Sequence, residues 1–264
     1  MTVADRRDGH VLGELGFAVR RDGDGFRGSA EIVPEMWVPG TSSLRTSIVA
    51  TWIDWVAGLL SIDTIAPRVP VTLELDVHVY EQLPGQGTIH AVARLLKAGR
   101  TVVVYGVDIL DGDEELVAVG TASFMAAPNP GLALPRGDQL DAWRPRRGQL
   151  RRPFAERAGC TRTEPGVAVL GRSEDGLNAS DSINGGLIAL AVEEAALSVT
   201  PGATLASLAM RFLRPVRIGP AIAAAGVRAG LGRVEVRDAG DGDRLAAVAT
   251  TRAFSGAGPG PAGR

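Results

Sequence analysis

Two acidic residues in apolar surroundings are the groups of this sequence best placed to do chemistry. Asp54 stands in Arg45-Thr-Ser-Ile-Val-Ala-Thr-Trp-Ile-Asp54-Trp-Val-Ala-Gly-Leu-Leu-Ser61 and is the only ionisable residue between Arg45 and Asp63. Tryptophans flank it at 52 and 55. A carboxylate there is expensive to bury unless something uses it or pairs it. Left unpaired, it is the residue type of a general base or a nucleophile. The partner that would satisfy it structurally is Arg45, Arg68 or nearby backbone. Glu193 stands in a second such stretch, Asn184-Gly-Gly-Leu-Ile-Ala-Leu-Ala-Val-Glu193-Glu. Arg45 precedes Asp54 by nine positions, and Asn184 precedes Glu193 by nine. The bland alternative for Glu193 is a solvated helix residue beside Glu194.

Other chemistries find little support. Three histidines and the single cysteine, Cys160, are scattered without zinc spacing, so no metal site is expected. No Gly-x-Ser-x-Gly elbow occurs. Gly23-Asp-Gly25-Phe-Arg-Gly28 matches the dinucleotide pattern but lies between two strand-like runs with no helix after it, which reads as a hairpin turn. His78 sits on a strand face opposite valines and reads as a packed or exposed polar residue.

The elements that must position the acids follow from periodicity. Ile48, Val49, Trp52, Trp55, Val56, Leu59 and Leu60 recur at helical steps, with Ser47, Ala50, Thr51, Asp54, Gly58 and Ser61 forming a small or polar opposite face. Pro67 closes this helix. Two short strands are expected before it, at 17–20 and 26–33. After it the pattern changes to period two: Val71, Leu73, Leu75, Val77 and Val79 face one way, and Thr72, Glu74, Asp76, His78 and Tyr80 the other. Further strands are expected at 88–96, 101–110 and 116–126, separated by turn residues.

This order is given twice. A strand-like 167–170 precedes the second helix, 184–199. Thr72, Tyr80 and Gly87 then correspond to Thr204, Phe212 and Gly219 at an offset of 132. Asp111-Gly-Asp113 and Phe124 correspond to Asp241-Gly-Asp243 and Phe254 at 130. An offset held this well indicates internal duplication. The helices lie 139 apart, so the first half carries seven extra residues between helix and meander. The expected division is a first repeat over 10–128, a linker over 129–160, a second repeat over 161–255 and a disordered tail over 256–264. Five prolines and seven arginines mark residues 128–157 as a solvated linker.

A long helix followed by a four-strand antiparallel meander, present twice, resembles the hotdog fold. More narrowly it resembles the acyl-CoA thioesterases of the phenylacetate-pathway and 4-hydroxybenzoyl-CoA type. The resemblance implies an α+β double hotdog, with one continuous sheet around two central helices. In that family a helix opens with His-Gly-Gly or a relative, an acid follows nine positions after the His, and an Asn or Gln often precedes the helix. The second half fits through Asn178, Asn184-Gly185-Gly186 and Glu193. The first half keeps Asp54 but has Arg45-Thr46-Ser47 in place of His-Gly-Gly, and Pro39 where Asn178 would map.

What the resemblance implies is thioester hydrolysis, with a carboxylate as base or nucleophile and helix N-terminal amides as oxyanion holders. Gly185 and Gly186 suit the oxyanion role, Asn178 an orienting role, and Thr72 the positioning of water. Asn184 reads as a plain helix cap within a substrate-binding segment. Arg211, Arg214 and Arg217 are candidates for a CoA phosphate. Active sites in this family are shared between subunits, so a tandem chain has two unlike sites. Asp54 with Asn178 and Gly185-Gly186 has every part. Glu193 with Pro39 and Arg45-Thr46-Ser47 lacks the amide, and Arg45 is positioned to neutralise Glu193. Rival readings are a non-catalytic thioester-binding hotdog and a hotdog hydratase or dehydratase. The only Asp-x4-His of the hydratase kind is Asp5 to His10, in the lead-in.

The bulk properties agree with this class. The 264 residues, 45% hydrophobic and 22% charged, are globular values. A net charge of −2 gives no argument for nucleic acid or membrane. One cysteine precludes an intrachain disulfide, and the charged N-terminus lacks a signal core. No run long enough to span a bilayer is expected, and the expected location is cytoplasmic. No cofactor is expected beyond the CoA of the substrate. The expected partner is an acyl-CoA or acyl-carrier-protein thioester, and the two halves form an internal pseudo-dimer that is free to assemble further.

Overall fold

The structure is a computed structural model that describes residues 10–129, 131 and 150–254. The first half runs β1 (Ala18–Asp22), β2 (Gly25–Glu31), α1 (Thr46–Ile65), β3 (Pro70–Val79), β4 (Thr88–Ala98), β5 (Val103–Leu110) and β6 (Leu116–Ala126). The second runs α2 (Phe154–Arg157), β7 (Cys160–Glu164), β8 (Val167–Leu170), α3 (Gly185–Ser198), β9 (Leu205–Phe212), β10 (Ala221–Arg228), β11 (Leu231–Asp238) and β12 (Arg244–Ala253). All twelve strands form one antiparallel sheet in the order β1-β2-β4-β5-β6-β3-β9-β12-β11-β10-β8-β7. The order is palindromic about the β3–β9 seam, as a double hotdog requires.

The seam joins the halves edge to edge. Leu75 stands opposite Met210 and Val77 opposite Leu208, and all four are fully buried. Either half alone would present this apolar edge to water. Equivalent anchors hold each helix start: Leu44 N–H donates to the Pro84 carbonyl at 3.3 Å, and Ile183 N–H to the Val216 carbonyl at 2.9 Å. These pairs correspond at the offsets of 139 and 132.

Helix α1 runs from Thr46 to Ile65 and closes at Pro67 as expected. Ala66 caps it by donating to the Ile62 carbonyl, and Pro67, with no N–H of its own, follows. Its small face is not a solvent face: Ser47, Ala50, Thr51 and Ser61 are all buried. Helix α3 packs against this face, and a Cβ on Gly186 would meet Thr51 Oγ1 at 2.4 Å. The two central helices approach closely because Gly186 has no side chain. Contrary to expectation, α1 is long and apolar enough to cross a membrane by length and composition. Here it is the core helix of the first half.

Trp52 is fully buried and stacks on Phe17 with ring centroids 5.4 Å apart. Trp55, half-buried, lies against the same ring. Both are therefore packing residues. The Gly23–Gly28 motif is the β1–β2 hairpin, with Asp22 opposite Gly25.

Two readings of the sequence are corrected. The stretch read as a linker contains α2 and the first residue of β7. Arg157 on α2 donates to Glu14 through Nε and Nη2 and to Asp175 through Nη1, tying the two ends of the sheet together. Those five residues were hidden by the surrounding prolines and arginines. Residues 130 and 132–149 of that stretch, and the tail from 255, lie outside the described residues. The second correction is the facing of β3. Phe124 pairs with Thr72 and Ser123 with Glu74, so Leu73 is an extra residue in a β-bulge. The bulge breaks the alternation and turns Thr72 inward with Leu75 instead of outward with Glu74.

Candidate active site

Asp54 lies nine residues into α1, on the side that faces the start of α3. Neither arginine named by the sequence pairs it. Arg45 is engaged elsewhere, and Arg68 donates to the Ala127 carbonyl. Its partner is Thr72, brought inward by the bulge, whose hydroxyl donates to Asp54 Oδ1 at 2.8 Å. Oδ2 points the other way, 3.8 Å from where a Cβ on Gly185 would stand. Burial drives the carboxyl's pKa up to about 6, against the opposing pull of the Thr72 hydrogen bond. The residue as a whole is half-buried.

The start of α3 is built for an acceptor. Asn184 is the N-cap, and its Oδ1 accepts the Gly186 N–H at 2.9 Å. The Leu187 and Ile188 amides donate to the Asn184 carbonyl. That leaves the Gly185 N–H without a partner among the described residues, at the positive end of the helix dipole. A side chain at 185 would meet the Phe212 ring at 3.3 Å. The expectation that both glycines offer amides is therefore corrected: Gly186 serves the packing of the helices and its N–H is used by the cap.

Asn178 is half-buried in the loop leading to α3. Its Oδ1 accepts from the amides and hydroxyls of Ser180 and Ser182 at 2.8–3.2 Å. This Asx-type turn fixes the side chain. No described residue accepts from its NH2, which remains able to donate to a carbonyl or a water.

The pseudo-equivalent position is closed. Glu193 is fully buried, not solvated. Its Oε1 accepts the Ser47 N–H at 3.2 Å, and its Oε2 accepts the Ser47 hydroxyl at 2.6 Å and Arg45 Nη1 at 3.1 Å. Arg45 also reaches Glu194 at 2.6 Å, and Glu194 in turn accepts from Arg162 Nε at 2.7 Å. Thr46 adds a bond from its hydroxyl to the Leu205 carbonyl. A side-chain carboxylate of the protein thus fills the N-terminus of α1, where α3 offers an open amide. Burial alone would raise the Glu194 pKa, but Arg45 and Arg162 outweigh it and hold the carboxyl below its ordinary value. Cys160, buried beside this cluster, has its thiol pushed up to about 12, chiefly by burial and then by Glu194, and is inert at neutral pH.

Arg211 is not available to a phosphate. Its guanidinium grips Asp76 at 2.5 and 3.2 Å and Glu74 at 3.1 Å across the seam. The signal for this was present in the alternating acids of β3, but their cross-strand register was not. Arg214 and Arg217 are exposed and form no ion pair among the described residues. His78 is exposed on β3. His10 is a structural cap: Nδ1 accepts from Leu12 N–H and Nε2 bonds the Leu177 carbonyl. Asp5, its supposed partner, lies outside the described residues. Among the described residues no cluster of His, Cys, Asp or Glu could hold a metal.

Comparison with known proteins agrees with the fold. Residues 47–118 match the thioesterase superfamily. No curated protein matches the sequence. The fold is shared with a 12:0-ACP thioesterase from Umbellularia californica at 12% identity and a TM-score of 0.64, covering 89% of this chain and 99% of that one. It is shared with an acyl-ACP thioesterase from Bacteroides thetaiotaomicron at 14% identity and 0.60, covering 86% and 97%. The tesB protein of Mycobacterium avium subs paratuberculosis aligns at 15% identity and 0.59, covering 96% and 99%.

Proposed function

We propose that this double hotdog, matched to the thioesterase superfamily over residues 47–118, is an acyl-thioester hydrolase with one working site. The observation that carries the reading is the approach of Asp54 on α1 to Gly185 at the start of α3, within 3.8 Å of the missing β-carbon. A base or nucleophile and an open helix amide thereby flank a single point at the junction of the two halves.

In this reading the thioester carbonyl oxygen takes the Gly185 N–H and the helix dipole, which stabilise the negative charge that develops on it. Asp54, held by Thr72, either removes a proton from the attacking water or attacks the carbonyl carbon itself. The Asn178 NH2 orients the carbonyl or the water. The C–S bond breaks, the thiol leaves with a proton, and water supplies the oxygen of the released carboxylic acid. The absence of a side chain at Gly185 lets the substrate carbonyl come close to the backbone. Glu193, by contrast, is a structural acid that plugs the degenerate second site.

The carrier is an acyl-CoA or an acyl-carrier protein. The test is turnover by the purified full chain over acyl groups from acetyl to palmitoyl and aromatic, each on CoA and on a carrier protein. Thiol release on at least one, lost with Asp54→Asn, is the expected result. Binding without release on every substrate would make the protein a thioester-binding hotdog instead.

A further inference from the structure

We infer that the loop Leu213–Ile218 is a docking surface for an acidic acyl-carrier protein that delivers the thioester, an inference that rests on the hydrolase reading above. The loop leaves β9 directly after Phe212, the residue packed against Gly185. Its Val216 carbonyl accepts the Ile183 N–H, two residues before Gly185. Its far end is fixed by Asp238, a buried carboxylate that accepts the backbone amides of Arg217, Ile218 and Gly219 at 2.7–3.2 Å. The loop is thus a rigid lip on the mouth of the proposed site.

Its outer surface is unusual for this chain. Leu213 is 53% and Ile218 59% exposed, two of the eight large exposed hydrophobic residues among those described, within six positions. Arg214 and Arg217 lie between them, both exposed. The pseudo-equivalent loop of the first half gives an internal control. It is anchored by the matching bond from Leu44 N–H to the Pro84 carbonyl. At the positions equivalent to Leu213, Arg214 and Ile218 it exposes Glu81, Gln82 and Gln86. The two mouths share a backbone design but differ in surface. The loop beside the plugged site follows the exposed Tyr80 and carries an acid and two glutamines, whereas the one beside the open site carries two arginines and two aliphatic residues.

The form of the surface favours a protein over the phosphates of CoA. The concave run of amides at Arg217–Gly219, the kind of backbone nest that takes phosphate, is already filled by Asp238. Arg211 is held by Asp76 and Glu74. Arg172, beside Gly219, is held by Glu174 and Asp181. What remains is a loop that exposes two arginines between two aliphatic residues. Exposed apolar residues with arginine are the composition of a protein interface, and the charge selects an acidic partner.

The experiment compares one acyl group carried on CoA and on a small, strongly acidic acyl-carrier protein, using the full chain. The double reversal Arg214→Glu/Arg217→Glu should lower the ratio of kcat/KM on the carrier to kcat/KM on CoA at least tenfold, mostly through KM. It should also flatten the rise of the carrier's KM with salt. Gln82→Glu on the first-half loop should leave the ratio within twofold. An equal loss on both substrates, or no loss on the carrier, overturns the inference. A binding arm separates it from the hydrolase reading. Asp54→Asn protein titrated with the acyl-carrier protein should bind it, and the double reversal in that background should weaken binding at least tenfold. If no thioester is hydrolysed yet this weakening is seen, the docking surface stands and the hydrolase reading falls. If carrier binding is absent or indifferent to the reversal, the docking surface falls.

Discussion

Replacing Arg45 by Met should be among the most damaging single changes in the core. Arg45 and Glu193 are fully buried and Glu194 nearly so, with the guanidinium 3.1 and 2.6 Å from the two carboxylates. Methionine keeps much of the side-chain length and removes the charge. Glu193 and Glu194 would then be left inside the protein with Arg162 as the remaining cation, and that residue contacts Glu194 alone among them. Removing one partner of a buried ion pair costs about 3–5 kcal/mol, because the orphaned charge stays desolvated. A loss of that size is a large share of the ~5–15 kcal/mol that stabilises a typical domain. Urea unfolding of the full chain reads it as a lower midpoint at an unchanged slope.

The same argument predicts a rescue. Arg45→Met with Glu193→Gln removes one charge of each sign and leaves the Arg162–Glu194 pair intact. The double variant should be more stable than Arg45→Met alone, with a coupling of about 1–3 kcal/mol in the cycle. The pH dependence has a definite sign. The Glu194 pKa is lowered in the folded state, so its stabilisation is present above the ordinary carboxylate value and is lost as pH falls through the lowered one. Arg45→Met should weaken that acid dependence. A cost below about 1 kcal/mol, or no coupling with Glu193, would refute a structural role for the cluster.

If Asp54 acts deprotonated, kcat/KM should rise with pH through a midpoint near 6, the value to which burial raises it. Thr72→Val removes the one hydrogen bond that lowers that pKa, so the midpoint should move up; a fixed or falling midpoint would contradict the assignment. Gly186→Ala sets a methyl 2.4 Å from the hydroxyl of Thr51, a β-branched residue whose hydroxyl also donates to the Ser47 carbonyl. The helices must part, at about 1–3 kcal/mol, and Thr51→Ala in the same chain should return part of it in a thermal melt.

Much of this was legible in the sequence, and the limits have physical causes. The repeat was visible because the same hydrophobic periods and turn residues recur at fixed offsets, and the continuous sheet follows from pairing two open edges. The nine-residue spacing marked both helix starts and both acids. What the sequence could not give was register. The bulge at Leu73 redirects Thr72 towards Asp54, and no residue there announces it. Glu193 had a solvated alternative because charge runs on helices usually are solvated, whereas here Arg45 and Ser47 enclose it. Arg211 looked free because its acidic partners lie 135 and 137 positions away, across the seam. Gly186 read as an oxyanion donor until the Asn184 side chain took its amide.

The asymmetry of the two sites is the central claim, and the relative turnover of Asp54→Asn and Glu193→Gln tests it most directly. Both variants are close to isosteric and remove one negative charge. On the thioester that the wild-type chain hydrolyses best, Asp54→Asn should lower kcat by about 10²–10⁴, the usual contribution of a lone general base, with the fold intact by circular dichroism. Glu193→Gln should keep most of the wild-type kcat. The reverse ranking would mean that the open and plugged sites are assigned backwards, and equal losses would mean that both sites turn over.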